Sequence, residues 1–165
     1  MKEKTQELYR RHRTAVYHLA ISYLHDTAAA EDILQDVFVA LLESEQPLRH
    51  PRAWLLTATR HRCLNRLRDT RFETVCETLP ETADNGEQGD AVFVEQLLCL
   101  LSEEERRAFT LHYLDGFRYR EIAQGLGLPV GTVQSRCHTA RKKLKKALAE
   151  EDARLTMRAG KETMV

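Results

Sequence analysis

Side chains that donate and accept hydrogen bonds crowd one face of a predicted helix at residues 130–148. This polar face carries Gln134, Ser135, His138, Arg141, Lys142 and Lys145. The opposite face carries, at helical spacing, Val133, Cys137, Ala140, Leu144 and Leu148. Amide, hydroxyl and imidazole groups bind base edges, whereas guanidinium and ammonium groups bind phosphates. The pattern therefore predicts a helix that packs on one side and contacts nucleic acid on the other.

A shorter predicted helix and a tight turn come directly before this one. The shorter helix has an apolar stripe formed by Tyr119, Ile122, Ala123 and Leu126. Gly127 supplies the left-handed residue that ends a helix, and Pro129 favours the start of the next. Residues 118–148 are therefore predicted to form a helix–turn–helix. An ordinary helical hairpin with a solvated basic face is the alternative, which the turn glycine and clustered charge disfavour.

A second concentration of positive charge lies upstream. Residues 49–71 contain seven arginines, no lysine and one acid, Asp69. Guanidinium groups bind phosphate in a planar fork and stack on bases, so this predicted helix suits opened or single-stranded nucleic acid. Trp54 in the same helix is interpreted as a core residue, with a stacking platform as the alternative.

Acidic side chains line the predicted helix at residues 28–44, beside its apolar stripe. The polar face carries Glu31, Asp32, Gln35, Asp36 and Glu43. Such a row forms either a solvated face or a docking face for a basic partner helix, and the pattern alone does not decide between them.

The charges are sorted along the chain, although the net charge is zero. Residues 1–72 carry +3, residues 73–105 carry −10, and residues 106–150 carry +7. Residues 73–90 lack apolar periodicity and are predicted to be a flexible acidic linker, which could span up to about 60 Å. The distribution predicts two nucleic-acid surfaces separated by a segment that nucleic acid repels.

No strand pattern is present, so we predict an all-α chain of two small helical domains. The domains are residues 1–72 and 91–149, joined by the linker at 73–90 and followed by a polar tail at 150–165 with no predicted structure. The helices are expected at residues 5–24, 28–44, 51–71, 92–101, 103–114 and 118–148. A helix-opening capping box is predicted at Ser102 and Glu105.

The remaining sequence features argue against several other classes of protein. The four cysteines lie far apart, which favours free thiols in a reducing compartment over a metal site. No signal peptide or membrane-length apolar run is present, so we expect a cytoplasmic protein without membrane insertion. No catalytic constellation, glycine-rich phosphate loop, metal set or cofactor motif stands out, and an enzyme is therefore not expected.

The order of these parts resembles a known family over residues 8–148. AEDILQDVF is similar to region 2.2, and PRAWLLTATRHRCLNRLRD to regions 2.3 and 2.4, of the group 4 (extracytoplasmic-function, ECF) sigma factors of bacterial RNA polymerase, in the sigma-70 superfamily. LSEEERRAFTLHYLDGFRYREIAQGLGLPVGTVQSRCHTARKKL resembles region 4. The resemblance implies a promoter-specificity subunit that binds core polymerase, reads the −35 element with one domain and opens the −10 element with the other.

The resemblance also implies roles for individual residues. The −35 set is Thr132 and Arg136 at phosphates, Gln134, Ser135, His138 and Thr139 towards base edges, and Arg141 and Lys142 on the backbone. The −10 set is Arg49, His50, Arg52, Arg60, His61, Arg62, Asn65 and Arg66, with the loop at residues 44–50 holding a flipped base. The polymerase-binding set is Glu31, Asp32, Gln35, Asp36 and Phe38.

Several partners follow from the same resemblance: the β′ clamp helices and β flap of core polymerase, promoter DNA and an anti-sigma factor. The alternative is a stand-alone helix–turn–helix regulator, because residues 102–146 also resemble the effector domains of response regulators. Such regulators carry an α/β receiver at the N-terminus, and residues 1–72 show no strand alternation.

Overall fold

The computed structural model describes residues 2–45, 48–69 and 88–162, and within these ranges the chain is helical with short connections. Its helices are α1 (Lys2–Leu24), α2 (Thr27–Glu43), α3 (Pro51–Asp69), α4 (Gln88–Leu98), α5 (Glu103–Phe109), α6 (Tyr119–Leu126) and α7 (Val130–Glu162). A π-helical segment, Thr110–Leu114, continues α5. The predicted all-α class is therefore confirmed. We call α1–α3 the N-terminal unit and α4–α7 the C-terminal unit.

Capping residues explain where several of these helices begin and end. The Asp26 carboxylate accepts hydrogen bonds from the backbone N–H groups of Ala28 and Ala29, which begins α2. The predicted capping box of Ser102 and Glu105 is present at the start of α5. Gly127 ends α6 with a φ of 67°, the left-handed conformation that favours glycine.

The N-terminal unit buries the apolar stripes of its three helices against each other. Its core is formed by Val16, Ala20, Ala30, Ile33, Val37, Phe38, Leu41, Leu55, Ala58 and Cys63. Trp54 is half-buried and packs against this cluster, as its interpretation as a core residue predicted. Leu67 lies one helical turn after the buried Cys63, yet it is 37% exposed near the C-terminal end of α3.

A second buried cluster joins the two units. Ala15, Leu19 and Leu56 come from the N-terminal unit. The C-terminal unit contributes Ala108, Leu111, Phe117, Ile122, Ala123, Leu126, Val133 and Cys137. The sequence predicted two domains joined by a linker, and its periodicity gave no sign that α1 and α3 bury one edge against α6. The units pack directly on each other.

The end of the π-helical segment positions the residue at the centre of this contact. The backbone N–H of Phe117 donates to the Leu111 carbonyl at 2.9 Å, and Gly116 has a φ of 77°. The sequence predicted a plain helix to Leu114 followed by a stop at Asp115–Gly116. The wider turn instead directs Phe117 into the shared cluster, where it is fully buried.

Three other predictions, two of helix boundaries and one of burial, need correction. Residues 150–162 were predicted to lack structure, but α7 continues through Glu162, since this segment is rich in strong helix formers and contains no proline. Leu148, expected on the buried face, is 42% exposed because α7 has by then left the body of the protein. Helix α4 begins at Gln88, inside the predicted linker, whose other residues lie outside the described ranges.

Candidate nucleic-acid interfaces

Helix α7 presents a polar face that no other described part of the chain covers. Its exposed side chains include Gln134, Ser135, His138, Thr139, Arg141 and Lys142. Val133, Cys137 and Ala140 are buried on the opposite face, as the sequence predicted. Burial raises the pKa of the Cys137 thiol to about 11, so this side chain is a neutral packing group near pH 7. The helix therefore has one side for packing and one for binding.

Two ion pairs hold α7 on α5 and involve side chains close to the exposed face. Arg136, predicted to bind phosphate, lies half-buried with its guanidinium 3.3 Å from the Glu104 carboxylate. Lys143 hydrogen-bonds both carboxylate oxygens of Glu105, at 3.0 and 2.9 Å. This hydrogen bond, together with the one from Ser102, lowers the pKa of the Glu105 carboxyl. Thr132, the other predicted phosphate contact, is also half-buried.

An aromatic stack fixes where α6 begins relative to α5. The His112 ring lies 4.0 Å from the Tyr119 ring, almost parallel to it, and its Nδ1 is 2.8 Å from the Phe117 carbonyl oxygen. Burial and the neighbouring Tyr113 raise the pKa of Tyr119. The stacked rings thus hold the first residue of α6 against the π-helical segment that follows α5.

The predicted −10 residues on α3 divide into two groups. Arg49, His50, His61 and Asn65 are exposed, and the Asn65 side-chain oxygen accepts a hydrogen bond from Arg68. Arg52, Arg60, Arg62 and Arg66 are half-buried. The positive charge that the sequence predicted on this helix is therefore only partly open to a ligand.

Specific contacts account for three of the half-buried arginines. Arg52 donates a 2.8 Å hydrogen bond to the Gly116 carbonyl and pairs with the Glu121 carboxylate at 3.2 Å. The guanidinium of Arg60 lies beside Gly127 at the end of α6. Arg52 and Arg60 are thus in contact with the C-terminal unit. Arg66, in contrast, lies 3.5 Å from the Asp32 carboxylate, within the N-terminal unit.

The acidic face of α2 borders an apolar groove of about 700 Å³ between α1 and α2. Phe38, predicted to touch a partner, is only 5% exposed because its ring packs edge-on against Tyr9, with ring centroids 5.0 Å apart. On α2, the exposed apolar side chains of the groove are instead Val39 and Leu42. The sequence interpretation missed this pair, whose signal was two large apolar residues outside the buried stripe of α2.

Two further searches concern only the described ranges. They contain no group of three or more histidine, cysteine, aspartate or glutamate side chains placed to hold a metal ion. No helix within them is both long and apolar enough to cross a bilayer.

Comparison with known proteins assigns each unit to a family. The family model for Sigma-70 region 2 matches residues 8–73, and the model for Sigma-70, region 4 matches residues 94–144. The ECF RNA polymerase sigma factor SigL of Mycobacterium tuberculosis is 30% identical over 155 residues, a match that covers 87% of this chain and 88% of SigL. The chain belongs to the ECF sigma factors.

Two solved structures resemble this one over most of the chain, and the first is of a sigma factor. RpoE of Bartonella quintana, in complex with the anti-sigma factor NepR, has a TM-score of 0.58 and 27% identity, covering 90% of this chain and 98% of RpoE. CnrH, in complex with the cytosolic domain of CnrY, has a TM-score of 0.60 and 28% identity, covering 91% of this sigma factor and 90% of CnrH.

Family membership decides between the two functions that the sequence left open. This sigma factor directs transcription initiation and is not an enzyme. The region 2 match occupies the place where a response regulator would carry its receiver domain, so the stand-alone regulator is excluded.

Proposed function

We propose that this sigma factor holds a promoter at two points, with α7 on the −35 element and α3 on the −10 element. The observation that carries the proposal is the polar face of α7, where the predicted base-contacting residues are exposed together. A helix with one buried and one polar face fits the major groove, which is about 12 Å wide.

On α7 the chemistry of each exposed group suggests its role. Gln134, Ser135, His138 and Thr139 offer hydrogen bonds to base edges, while Arg141 and Lys142 contact the backbone. Besides approaching a phosphate, Arg136 has a second proposed role, which is to position α7 on α5 through its ion pair with Glu104.

On α3 the exposed groups form a path that a single strand could follow. Arg49 and His50 lie at its beginning, and His61 and Asn65 lie about three to four turns further on. We expect Arg52, Arg60, Arg62 and Arg66 to join them on phosphates, and the loop at residues 44–50 to hold a flipped base. Arginine–phosphate contacts would offset the few kcal/mol that unpairing a base costs.

The acidic face of α2 is the proposed binding surface for the β′ clamp helices of core polymerase. Glu31, Asp32, Gln35 and Asp36 would supply polar contacts, and the exposed Leu42 with its neighbour Val39 would supply an apolar one. We propose that the C-terminal unit contacts the β flap. An anti-sigma factor is a further proposed partner, supported by RpoE, which resembles this chain and is seen in complex with the anti-sigma factor NepR.

The direct test is transcription by core polymerase with and without this protein. We expect the protein to bind core polymerase and to produce RNA from a defined set of starts, whose upstream sequences give the −35 and −10 elements. Failure to bind core polymerase, or starts identical to those of core polymerase alone, would contradict the proposal.

Substitutions on α7 test the assignment of base contacts. His138→Ala should change which −35 sequences are used, because a lost base contact costs about 1–3 kcal/mol only at the base it reads. Leu155→Ala, far along the same helix and also exposed, is the matched control. A uniform loss across all promoter variants would show that His138 does not read a base.

A further inference from the structure

A hydrogen bond between two exposed side chains lies at the C-terminal end of α3, on the surface proposed to follow the −10 strand. The Arg68 guanidinium donates to the side-chain oxygen of Asn65 at 2.9 Å, three residues away along the helix. Residues three and four apart share a helix face, so His61, Asn65 and Arg68 lie along one line, and all three are exposed. The sequence resemblance did not assign Arg68 to DNA, although Arg68 continues this line.

The hydrogen bond fixes which end of the Asn65 amide is turned away from Arg68. A guanidinium group has only donors and no acceptor, so the atom of Asn65 that faces it must be the oxygen. The NH2 group of Asn65 is therefore directed to the other side. It donates to no acceptor within the part of the chain that the structure describes. Its N–H groups are thus left for a ligand.

The pair presents donors and a shielded acceptor. The Asn65 oxygen lies against a positive charge, which repels the partial positive charge of any other N–H group that approaches it. The same hydrogen bond polarises the amide and so strengthens its N–H groups as donors. Arg68 has further N–H groups beyond the one that it uses. This part of the α3 surface therefore favours a ligand atom that accepts.

The four bases differ in this property. Thymine and guanine carry exocyclic keto oxygens, which accept hydrogen bonds, whereas adenine and cytosine carry exocyclic amino groups, which donate them. An asparagine that is free at both ends reads adenine, because its oxygen and its NH2 group bind the adenine amino group and N7 together. The hydrogen bond from Arg68 engages the oxygen that this recognition needs. It leaves the NH2 group, which fits a keto oxygen.

We propose that Arg68 is a positioning residue for Asn65, and that the oriented Asn65 amide selects a keto base, thymine or guanine, in the −10 strand. The inference rests on the proposed function of α3 and names the class of base that this part of the surface takes. Arg68 then affects the choice of promoter through Asn65 rather than through a contact of its own with a base.

The packing of α3 holds this turn of the helix in place. Cys63 is fully buried, and burial raises the pKa of its thiol to about 12, so it is a neutral packing group near pH 7. Arg66 is half-buried and lies 3.5 Å from the Asp32 carboxylate of α2. Because these two neighbours fix the turn against the N-terminal unit, Asn65 and Arg68 stay on its outer side.

Arg68 also suits a purely structural role, which the test has to separate from the proposed one. It lies in the last turn of α3, where a cation interacts favourably with the helix dipole. Loss of that interaction would loosen the end of the helix and weaken all promoters alike. It would not change which base is used at one position, so base preference is the quantity to measure.

The experiment uses polymerase holoenzyme assembled from core polymerase and the full-length protein. It transcribes a library of promoters randomised across the −10 element, and sequencing of the RNA gives the use of each base at each position. The variants are Asn65→Ala, Asn65→Asp, Arg68→Ala and Arg68→Lys. Arg11→Ala is the matched control, because Arg11 is also exposed and pairs with a side chain one turn away, that of Glu7, at 2.8 Å.

We expect the wild type to prefer keto over amino bases by about tenfold at one position, and Asn65→Ala to remove the preference there alone. Asn65→Asp should reverse it, because a carboxylate only accepts. Arg68→Ala should shift it towards adenine by about fivefold or more, since the Asn65 oxygen is then free. Arg68→Lys should keep the keto preference, because an ammonium group also only donates. Arg11→Ala should match the wild type.

A double variant shows whether Arg68 acts through Asn65. Arg68→Ala added to Asn65→Ala should cause no further change in base preference. An equal shift in both backgrounds, a uniform loss across all promoters, or a wild-type preference for an amino base at the Asn65 position would overturn the inference. Asn65→Asp and Arg68→Lys keep the test decisive if Arg68→Ala loses helix content by circular dichroism.

Failure of this inference is distinguishable from failure of the proposed function. Wild-type protein that gives no promoter-specific starts would refute the proposed function of α3 and α7. Promoter-specific starts whose base preference is unchanged in every Asn65 variant would refute only the role of Asn65 and Arg68.

Discussion

Helices α3 and α7 both carry dense positive charge, yet they differ in how much of that charge is available. On α7 the cationic and hydrogen-bonding groups point away from the body of the protein, and the pairs with α5 involve only its edge. On α3 the arginines at positions 52 and 60 contact the C-terminal unit of the same chain. A charge pattern therefore identifies groups that suit phosphate, but not whether another element already binds them.

The largest expected difference between the two helices concerns stability. Leu56 of α3 is fully buried between the units, whereas Leu148 of α7 is exposed. We expect Leu56→Ala to lower the free energy of unfolding by about 2–5 kcal/mol, through lost apolar burial and a cavity. Leu148→Ala should change it by only about 0.5 kcal/mol. Urea unfolding followed by circular dichroism measures both, and similar losses would show that the units do not share a core in solution.

The sequence predicted α7 well because its pattern is local. Val133, Cys137 and Ala140 share one face by helical spacing alone, and Gly127 marks the turn before them. The same reasoning located α1, α2 and α3, and it assigned Trp54 to the core. These features need only the chain's own periodicity, its caps and the chemistry of each side chain.

The contact between the units could not be predicted in this way, since it depends on residues far apart in sequence. Nothing at Arg52 indicates that it will bind the Gly116 carbonyl, and a glycine within α6 has no local signature of close packing. Phe117 was not identified, because a single apolar residue after a turn forms no periodic pattern. The helical tail was missed for a different reason, since residues 150–162 have helix-forming composition without an apolar stripe.

The next-largest expected effect concerns DNA binding by two arginines on α7, both of which the sequence resemblance assigned to the DNA backbone. Arg141 is exposed, while Arg136 is half-buried with Glu104. We expect Arg141→Ala to weaken −35 binding by the polymerase complex about tenfold and to reduce the slope of log affinity against log salt by about one. Arg136→Ala should change the slope less, because that guanidinium is already paired. A larger change of slope for Arg136→Ala would show that DNA displaces Glu104.

The smallest expected effect is a change in the titration of His12, which faces the shared cluster. Burial, and next the Arg52 guanidinium, lower the pKa of His12 below 6.5, while the carboxylates of Glu121 and Asp115 oppose this more weakly. A histidine whose pKa is lowered by burial favours the packed arrangement of the two units above pH 6.5, and this contribution is lost as the pH falls below that value. His18 and His25 also lie close to carboxylates of the C-terminal unit, those of Asp115 and Glu103. The informative quantity is therefore the pKa of His12 itself, measured by NMR of its imidazole. A Cβ atom added at Gly125 of α6 would collide with Leu56 of α3, whereas one added at Gly160 meets no atom within 4 Å. We expect a His12 pKa below 6.5 in the wild type and in Gly160→Ala, and a rise towards 6.5 in Gly125→Ala. The same low pKa in all three proteins would mean that His12 stays buried when α6 is forced from α3, and that the units do not separate there.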